Sequence, residues 1–327
     1  MKIAFFGNFG VSYSSESHYL RTFEKLGHTV YTIQEKHQDI VDSTIEEILT
    51  CDMFFWVHTH SWSNNGIDEL MLKLKEKSIP VVGYHLDLWL GLEREKDLDT
   101  DAYWKYLDYF FSVDKLMVEW LNTHKGMPKA FFLPAGVYED ECYISVKDIK
   151  YTHDVVFVGS RGYHKEWIYR EKLIGWLEMT YGERFAQYGG GGLGTIRGDE
   201  LNRLYASSKI VIGDTLCKDF EYPYYLSDRI FETTGRGGFI IHPYIKGIEG
   251  LFKIGDRVGE AREIVTYPFN NMEYLQYAID YYLENENERE LIRQAGFERT
   301  KKDHTYTNRL RYLIETTQND ISIQKQK

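Results

Sequence analysis

Two groups of charged residues have types that suit phosphate chemistry. One follows an apolar, strand-like segment, and the other lies on a predicted helix. The segment VGSRG places Gly159, Ser160 and Arg161 directly after an apolar run, and Arg170 follows at the start of a helical pattern. Guanidinium groups match phosphate oxygens, and free backbone N–H groups at a strand-to-helix turn add further donors. This group therefore predicts a diphosphate site; the alternative is the solvated basic start of a helix.

The second group lies in the segment SDRIFETTG, a predicted helix with Ser227 or Asp228 as its cap. Arg229 and Glu232 are three positions apart and so share one face of this helix. The arginine suits a phosphate and the glutamate suits the paired hydroxyls of a ribose, although a surface ion pair is the simpler interpretation of this motif alone. Three further residues of the second half are candidates for contacts with a nucleobase or a sugar, namely Ile196, Asp214 and Tyr224.

Asp87 follows the apolar segment VVGYHL and is the candidate for acid–base chemistry. A carboxylate just beyond a buried parallel strand faces the ligand-binding edge of the sheet, where it can take a proton from a nearby hydroxyl group. A carboxylate that caps a backbone turn is an equally good interpretation. The sequence therefore leaves Asp87 as either a general base or a turn cap.

The remaining candidates follow other predicted strands of the first half. Gly10, Ser15 and His18 come after the first strand, His60 after the third and Trp89 after the fourth. The glycine turn before Ser15 would let a ligand approach the backbone, but it lacks the G-x-G-x-x-G spacing, and a tight turn with a serine cap is the simpler interpretation. The histidines match no metal-ligand spacing, so we predict no metal site.

Strand-like and helix-like segments alternate along the whole chain. The predicted strands span residues 2–6, 28–33, 53–57, 81–86, 109–113, 131–137, 154–162, 184–189, 209–214 and 238–244. Helical spacing separates them, as in Ile67, Leu70, Met71 and Leu74. This alternation predicts an α/β fold with parallel sheets, and 327 residues suffice for two domains. The polar residues 138–152 are the predicted linker.

Charge and cysteine content limit the classes of protein that remain. The chain carries 50 Asp and Glu against 39 Lys and Arg, a net charge of −11, which disfavours a protein that grips phosphate backbones by bulk charge. Its three cysteines form neither a metal-ligand spacing nor an even disulfide set. We see no signal peptide and no run of the roughly 20 apolar residues that span a bilayer, and we expect a soluble cytoplasmic protein.

The order of these motifs resembles that of the GT-B fold glycosyltransferases. The segment from DVVFVGS to HTYTNRLRYLI is similar to the CgeB-like, group-one glycosyltransferases, whose R-x-F-E pattern is matched by RIFE at 229–232. A fainter similarity links the chain to the phage DNA β-glucosyltransferases. SSESHYL, the aspartate after the fourth strand, GSRG, IGD and the Arg229–Glu232 pair carry this second similarity.

The resemblance implies two tandem Rossmann-like domains with a cleft between them. Residues 1–140 would form the acceptor-side domain and residues 151–305 the nucleotide-sugar-binding domain, with a helix near 306–318 packing back on the first. The donor would be a nucleoside-diphosphate sugar, most simply a UDP-sugar, with no divalent metal required. The location would be the cytoplasm of a bacterium or of a phage-infected host.

The resemblance also implies a role for each candidate residue. Asp87 would be the base. The diphosphate would be held by Gly159, Ser160, Arg161, Arg170 and Arg229, and the ribose by Glu232. The acceptor-side candidates are Gly10, Ser15, His18, His60 and Trp89. Many retaining GT-B enzymes carry a second glutamate eight positions before the one at Glu232, where this chain has Tyr224, and this departure favours an inverting transfer.

The charge distribution bears on the acceptor. Residues 1–150 hold 15 basic and 24 acidic side chains, a net charge of −9, and the rest of the chain holds 24 and 26, a net charge of −2. The acidic first half disfavours duplex DNA, but the phage similarity keeps a hydroxymethylated DNA base open beside a protein or a glycan. A nucleotide-sugar epimerase and a non-catalytic GT-B binding protein are the alternative classes.

Overall fold

The computed structural model describes residues 1–35, 39–57, 66–88, 106–162, 166–255 and 261–324. The chain divides into two compact units, Met1–Pro134 with Tyr306–Lys327, and Ala135–Thr305. Each unit contains one sheet whose strand pairs are all parallel. In the part of the chain described, we find no helix with the length and apolarity needed to cross a membrane. The predicted α/β fold with two Rossmann-like units is confirmed.

The first unit is built on a six-stranded sheet. Its strands are β1 (Lys2–Gly7), β2 (Thr29–Gln34), β3 (Met53–Trp56), β4 (Val81–His85), β5 (Tyr109–Ser112) and β6 (Lys129–Phe132). Its helices are α1 (Ser15–Lys25), α2 (Asp42–Ile48), α3 (Ile67–Glu76), α4 (Lys115–Thr123) and the C-terminal α10 (Tyr306–Gln324). The strand order is β2-β1-β3-β4-β5-β6. The switch in strand order therefore falls between β1 and β3.

Burial explains why these segments form strands and helices. β3, β4 and β5 are buried at every residue, as expected for the central strands of a parallel sheet that is covered on both faces. In α3, Ile67, Leu70, Met71 and Leu74 are the buried residues, which is the face that their spacing predicts. β6 ends at Phe132, short of the predicted limit at Val137, and Pro134 just beyond it has no N–H to donate to a sheet.

The second unit is built on a five-stranded sheet of order β11-β10-β9-β7-β8. Its strands are β7 (Val155–Val158), β8 (Phe185–Tyr188), β9 (Ile210–Ile212), β10 (Ile240–Pro243) and β11 (Val265–Tyr267). Its helices are α5 (Tyr169–Tyr181), α6 (Gly198–Ser207), α7 (Asp228–Gly235), α8 (Met272–Glu284) and α9 (Glu286–Asp303). Short 3₁₀ turns at Glu139–Glu141 and Ile149–Tyr151 precede β7.

Residues 138–152 are anchored to the second unit rather than free as a linker would be. The Asn202 side chain of α6 donates hydrogen bonds to the carbonyls of Glu141 and Tyr143, each at 2.9 Å. Arg236, directly after α7, pairs with the Glu141 carboxylate. Cys142 and Tyr151 are buried in apolar clusters as well, so the segment is held by isolated polar and apolar contacts that follow no regular spacing.

Candidate functional site

The carboxyl ends of β7 and β9 lie side by side in the second sheet. β8 pairs with one edge of β7, and the chain then crosses to form β9 on the other edge. Open α/β sheets bind ligands beyond the carboxyl ends of their strands, at such a switch in strand order. The residues that follow β7 and β9 at this point are Gly159, Ser160 and Asp214, so the sheet brings three of the predicted residues to one place.

Two glycines allow the turns after β7 and β8 to pack tightly against each other. The Gly159 N–H donates to the Tyr188 carbonyl at 2.7 Å, and the Gly190 N–H donates to the Ser160 hydroxyl at 3.3 Å. A Cβ on Gly189 would lie 2.6 Å from the Gly159 carbonyl carbon, and a Cβ on Gly159 would lie 2.7 Å from Nη2 of Arg229. The start of the glycine-rich loop at residues 189–194 is therefore packed against the turn after β7.

We expect Gly189→Ala to destabilise the second unit. The new methyl group would overlap the Gly159 backbone, and the φ of +119° at Gly189 disfavours any L residue, so a loss of about 2–4 kcal/mol is expected. Thermal unfolding measures it. The matched control is Gly175→Ala in α5, where a Cβ meets nothing within 4 Å and helix propensity predicts a gain of about 0.5–1 kcal/mol. Equal melting temperatures for the two variants would contradict the expectation.

Asp214 is the hub of the site. Its side chain is fully buried, and Oδ2 accepts a hydrogen bond from Nε of Arg170 at 2.7 Å. The Trp167 indole N–H lies 3.1 and 3.2 Å from the two carboxylate oxygens. The backbone carbonyl of Asp214 accepts from Nη1 of Arg229 at 2.6 Å. One residue therefore contacts both arginines.

Arg229 extends from α7 to the end of β7. Its Nε donates to the Val158 carbonyl at 2.7 Å, and its guanidinium carbon lies 5.3 Å from the centre of the Phe157 ring. Burial lowers the pKa of the Arg229 guanidinium, and the positive charge of Arg170 lowers it further. Within the described residues the Arg229 guanidinium bonds to backbone carbonyls and forms no ion pair with a carboxylate. The cluster of Arg170, Arg229 and Asp214 thus carries a surplus positive charge.

Glu232 lies one turn beyond Arg229 on α7, as predicted. Its half-buried carboxylate is 3.8 Å from Nη2 of Arg236. Arg236 is itself buried and also pairs with Glu141, so Glu232 shares this cation with a second carboxylate. Ser227 occupies the N-cap position of α7, but its hydroxyl contacts the Asp214 carbonyl at 3.4 Å instead of capping the helix.

The other predicted residues of the second half differ from Asp214 in the groups that they contact. The Ser160 carbonyl accepts from Nη1 of Arg170 at 3.3 Å. The Arg161 guanidinium pairs with Glu178 of α5, so the structure does not place it with Arg170 and Arg229. Ile196 is buried in the core of the unit.

The loop after β9 contains three non-glycine residues in the left-handed region, with φ of 55° at Asp219, 62° at Phe220 and 68° at Tyr224. Each costs of order 1 kcal/mol. The Tyr224 ring packs on Gly247, where a Cβ would lie 2.2 Å from Cδ1 of the ring. Such a concentration of strained residues beside a strand end is typical of functional sites.

In the first unit the predicted residues follow β1 and β4. Ser14 caps α1, its hydroxyl oxygen accepting from the Ser17 N–H at 3.1 Å, so that Ser15 is the first helical residue. His18 is buried, with its ring 6.3 Å from that of Tyr306 in α10. Gly10 is exposed, and a Cβ there would meet nothing within 4 Å. Asp87 is half-buried, two residues beyond β4. His60 and Trp89 lie outside the described residues.

Sequence reasoning missed Glu35, a buried carboxylate directly after β2. It accepts hydrogen bonds from the Trp56 indole at 2.9 Å and from the Asn8 amide at 3.0 Å. Asn8 also accepts from the Gln34 amide at 2.7 Å. This network holds the turn after β1. Its signal was available, because Glu35 is a polar residue at a strand end like the others.

Sequence reasoning also missed His242, which is fully buried in β10. Its Nδ1 lies 2.7 Å from the Pro243 carbonyl, and burial lowers the pKa of its imidazole to about 4. The ring lies against Gly213, where a Cβ would be 2.4 Å from Cδ2. A neutral histidine therefore lies next to the residue before Asp214. The segment FIIHP showed a histidine inside an apolar strand, which was the only signal for it.

Solved structures share this fold along the full chain. An alpha-glucosyltransferase in complex with UDP matches with a TM-score of 0.67 and 14% identity, over 97% of this chain and 99% of that one. It has also been solved with UDP-glucose and DNA containing an abasic site. HepE from Anabaena in complex with UDP matches with a TM-score of 0.59 and 11% identity, over 98% of this chain and 100% of that one. A sucrose-phosphate synthase from Thermosynechococcus elongatus matches with a TM-score of 0.60 and 10% identity, over 99% of this chain and 100% of that one.

Residues 157–315 match the protein family described as glycosyl transferase-like. The chain therefore has the GT-B fold of these structures, and its second half matches a glycosyltransferase family. Comparison with the curated proteins gives no match. The family match begins inside β7 and ends in α10, so it includes Arg170, Asp214, Arg229 and Glu232. Asp87 lies outside the matched region.

Proposed function

We propose that this chain is a glycosyltransferase that transfers a sugar from a UDP-sugar to an acceptor hydroxyl group. The observation that carries the proposal is the pair of arginines, Arg170 and Arg229, held together at Asp214. Two guanidinium groups and one carboxylate leave a positive charge in a buried place, which is costly unless an anion offsets it. A diphosphate is such an anion, and its negative charge grows as the bond to the sugar breaks.

The choice of UDP is supported by the ligands named for similar structures. Both the alpha-glucosyltransferase and HepE were solved with UDP. In our proposal the second unit binds the donor, with Glu232 accepting hydrogen bonds from the ribose hydroxyls and with Ile196 and Tyr224 near the base or sugar. Of the three predicted residues after β7, we propose that Ser160 supplies a backbone N–H to the diphosphate, because the N–H groups of Gly159 and Arg161 are donated to Tyr188 and Gly190 and the Arg161 guanidinium pairs with Glu178.

Glu232→Ala is expected to weaken UDP binding by about 10- to 100-fold, because hydrogen bonds to a charged group are worth roughly 1.5–3 kcal/mol. Titration calorimetry with UDP and with 2′-deoxy-UDP measures the effect. The wild type should prefer UDP, and Glu232→Ala should bind the two equally. Glu273→Ala on the exposed surface of α8 is the control for removing one carboxylate. An unchanged preference for UDP in Glu232→Ala would remove Glu232 from this role.

We propose that Asp87 is the base, which takes the proton of the acceptor hydroxyl as its oxygen attacks the anomeric carbon. The C1–O bond to the diphosphate breaks as the new C1–O bond forms, and the anomeric configuration inverts. Asp87 is half-buried two residues beyond β4, at the edge where parallel sheets bind ligands. NMR of the product tests the outcome, because a product with the donor's anomeric configuration requires retention and excludes this role.

Transfer is expected to continue in the presence of EDTA, because Arg170 and Arg229 supply positive charge to the leaving group, which is a preorganised electrostatic role. The described residues contain no group of three or more His, Cys, Asp or Glu side chains arranged to hold a metal ion. Initial rates of UDP release before and after EDTA treatment measure this. A rate that EDTA abolishes and that Mg²⁺ or Mn²⁺ restores would contradict the expectation.

For the acceptor, two observations point in opposite directions. The alpha-glucosyltransferase was solved with DNA, once with DNA that contains a HMU base. In this chain, however, residues 1–150 carry a net charge of −9, which repels a duplex. We propose a hydroxymethylated DNA base as the first acceptor to test, and proteins and glycans as the acceptors to test beside it. Transfer of labelled sugar from the donor to each class identifies the acceptor.

The donor alone tests the epimerase alternative, and donor with acceptor tests the binding-protein alternative. An epimerase would convert a UDP-sugar into an isomer in the absence of any acceptor. A binding protein would bind UDP without any turnover. A transferase releases UDP in step with glycosylated acceptor.

A further inference from the structure

Asp214 is surrounded by protein donors. Both carboxylate oxygens lie within hydrogen-bond distance of the Trp167 indole, and Oδ2 also accepts from Arg170. The side chain has no exposed surface. A ligand therefore finds no free face on this carboxylate, which argues against the contact with a nucleobase or sugar that the sequence suggests for it.

The contacts of Asp214 fix the direction of both arginines. Arg170 uses Nε on the Asp214 carboxylate and Nη1 on the Ser160 carbonyl. Arg229 uses Nε on the Val158 carbonyl and Nη1 on the Asp214 carbonyl. A guanidinium has five N–H donors, so each arginine keeps donors for a ligand after these contacts are made.

The carboxylate also lowers the cost of placing the two arginines together. The charge of Arg170 lowers the pKa of Arg229, and the charge of Asp214 acts in the opposite direction. An aromatic cluster adjoins the Asp214 carboxylate through the Trp167 indole. Trp167 packs on Phe220 and Phe269 with ring centres 5.3 and 5.6 Å apart, and Tyr169 packs on the same two rings.

We propose that Asp214 is a positioning residue whose carboxylate orients Arg170 toward the diphosphate of the donor without touching the donor itself, while its backbone carbonyl holds Arg229 beside it. This inference rests on the proposed function. It predicts that the loss of the Asp214 charge acts on the diphosphate part of the ligand and leaves the nucleoside part unaffected. A purely structural role would weaken the binding of every ligand alike.

The test uses the full chain and the variant Asp214→Asn, titrated with UDP, UMP and uridine. We expect UDP affinity to fall about 30-fold or more and uridine affinity to change less than about threefold, because only the carboxylate contact that orients Arg170 is disturbed. Adding Asp214→Asn to Arg170→Gln should cost less than about threefold more, since both changes remove the same interaction. Equal losses for UDP and uridine, or additive losses in the double variant, would overturn the proposal.

A second variant covers the case in which Asp214→Asn does not fold. Arg170→Lys keeps the charge but cannot bridge Asp214 and Ser160 as the planar guanidinium does, so UDP affinity should fall nearly as far as in Arg170→Gln. Full UDP affinity in Arg170→Lys would show that orientation is unimportant. If the wild type binds UDP no better than uridine, the proposed function itself fails, and that outcome is distinct from a failure of the role of Asp214.

Discussion

Asp87→Asn is expected to lower the rate of sugar transfer by about two to four orders of magnitude, the usual contribution of a general base. UDP affinity should change less than about threefold, because the donor contacts lie on other residues. The asparagine has the same shape but cannot accept the proton of the acceptor hydroxyl. Rates of acceptor glycosylation and a UDP titration on the same preparation measure both quantities.

Asp42→Asn is the matched control for this first prediction, since it removes one carboxylate from an exposed position at the start of α2. It should transfer at the wild-type rate. Turnover of Asp87→Asn within tenfold of the wild type would remove Asp87 from the role of base. Asp87 would then be the turn cap that the sequence allows equally well.

Arg229→Gln is expected to weaken UDP binding by about 100-fold, because charge-assisted hydrogen bonds to the diphosphate are lost in a buried place. The transfer rate should fall by a further factor of about 10²–10³, as it does when a preorganised electrostatic group is removed. Uridine should bind as it does to the wild type. Calorimetric titration gives the affinities, and saturating donor separates the rate from binding.

Arg184→Gln is the control for the loss of one positive charge. Arg184 directly precedes β8 and pairs with Asp154, which directly precedes β7. Arg229 bonds at the opposite end of β7, to the Val158 carbonyl. It should leave UDP affinity unchanged. A UDP affinity of Arg229→Gln equal to that of Arg184→Gln would show that Arg229 does not hold the diphosphate.

Strand ends were the features that the sequence predicted best. Apolar runs of four to six residues mark β1, β3, β4, β5, β7 and β10, and the polar residues that follow them stand where ligands bind in parallel sheets. For this reason Asp214 could be named before its contacts were known, whereas Arg170 and Arg229 were named from helical patterns. Short or polar elements escaped prediction. β11 has three residues, and α9 has a polar sequence with few apolar positions.

The direction of each side chain was beyond what sequence could predict. Arg161 and Arg170 belong to the same turn and helix start, yet one pairs with Glu178 and the other with Asp214. Their partners depend on which face of α5 packs against the sheet, which is a tertiary property. In the same way Asp214 was predicted to contact a ligand, whereas the structure buries its carboxylate against Arg170 and Trp167.

A thermal-shift titration of the wild type with UDP, UDP-sugars and uridine tests the central claim most directly. When the ligand concentration is a hundred times the dissociation constant, binding adds about 2.7 kcal/mol to the free energy of unfolding. This corresponds to a rise in Tm of about 5–10 °C for a unit of this size. We predict this rise with UDP and UDP-sugars and a much smaller one with uridine. No rise with any nucleoside diphosphate would contradict the assignment of the arginine pair as the donor site.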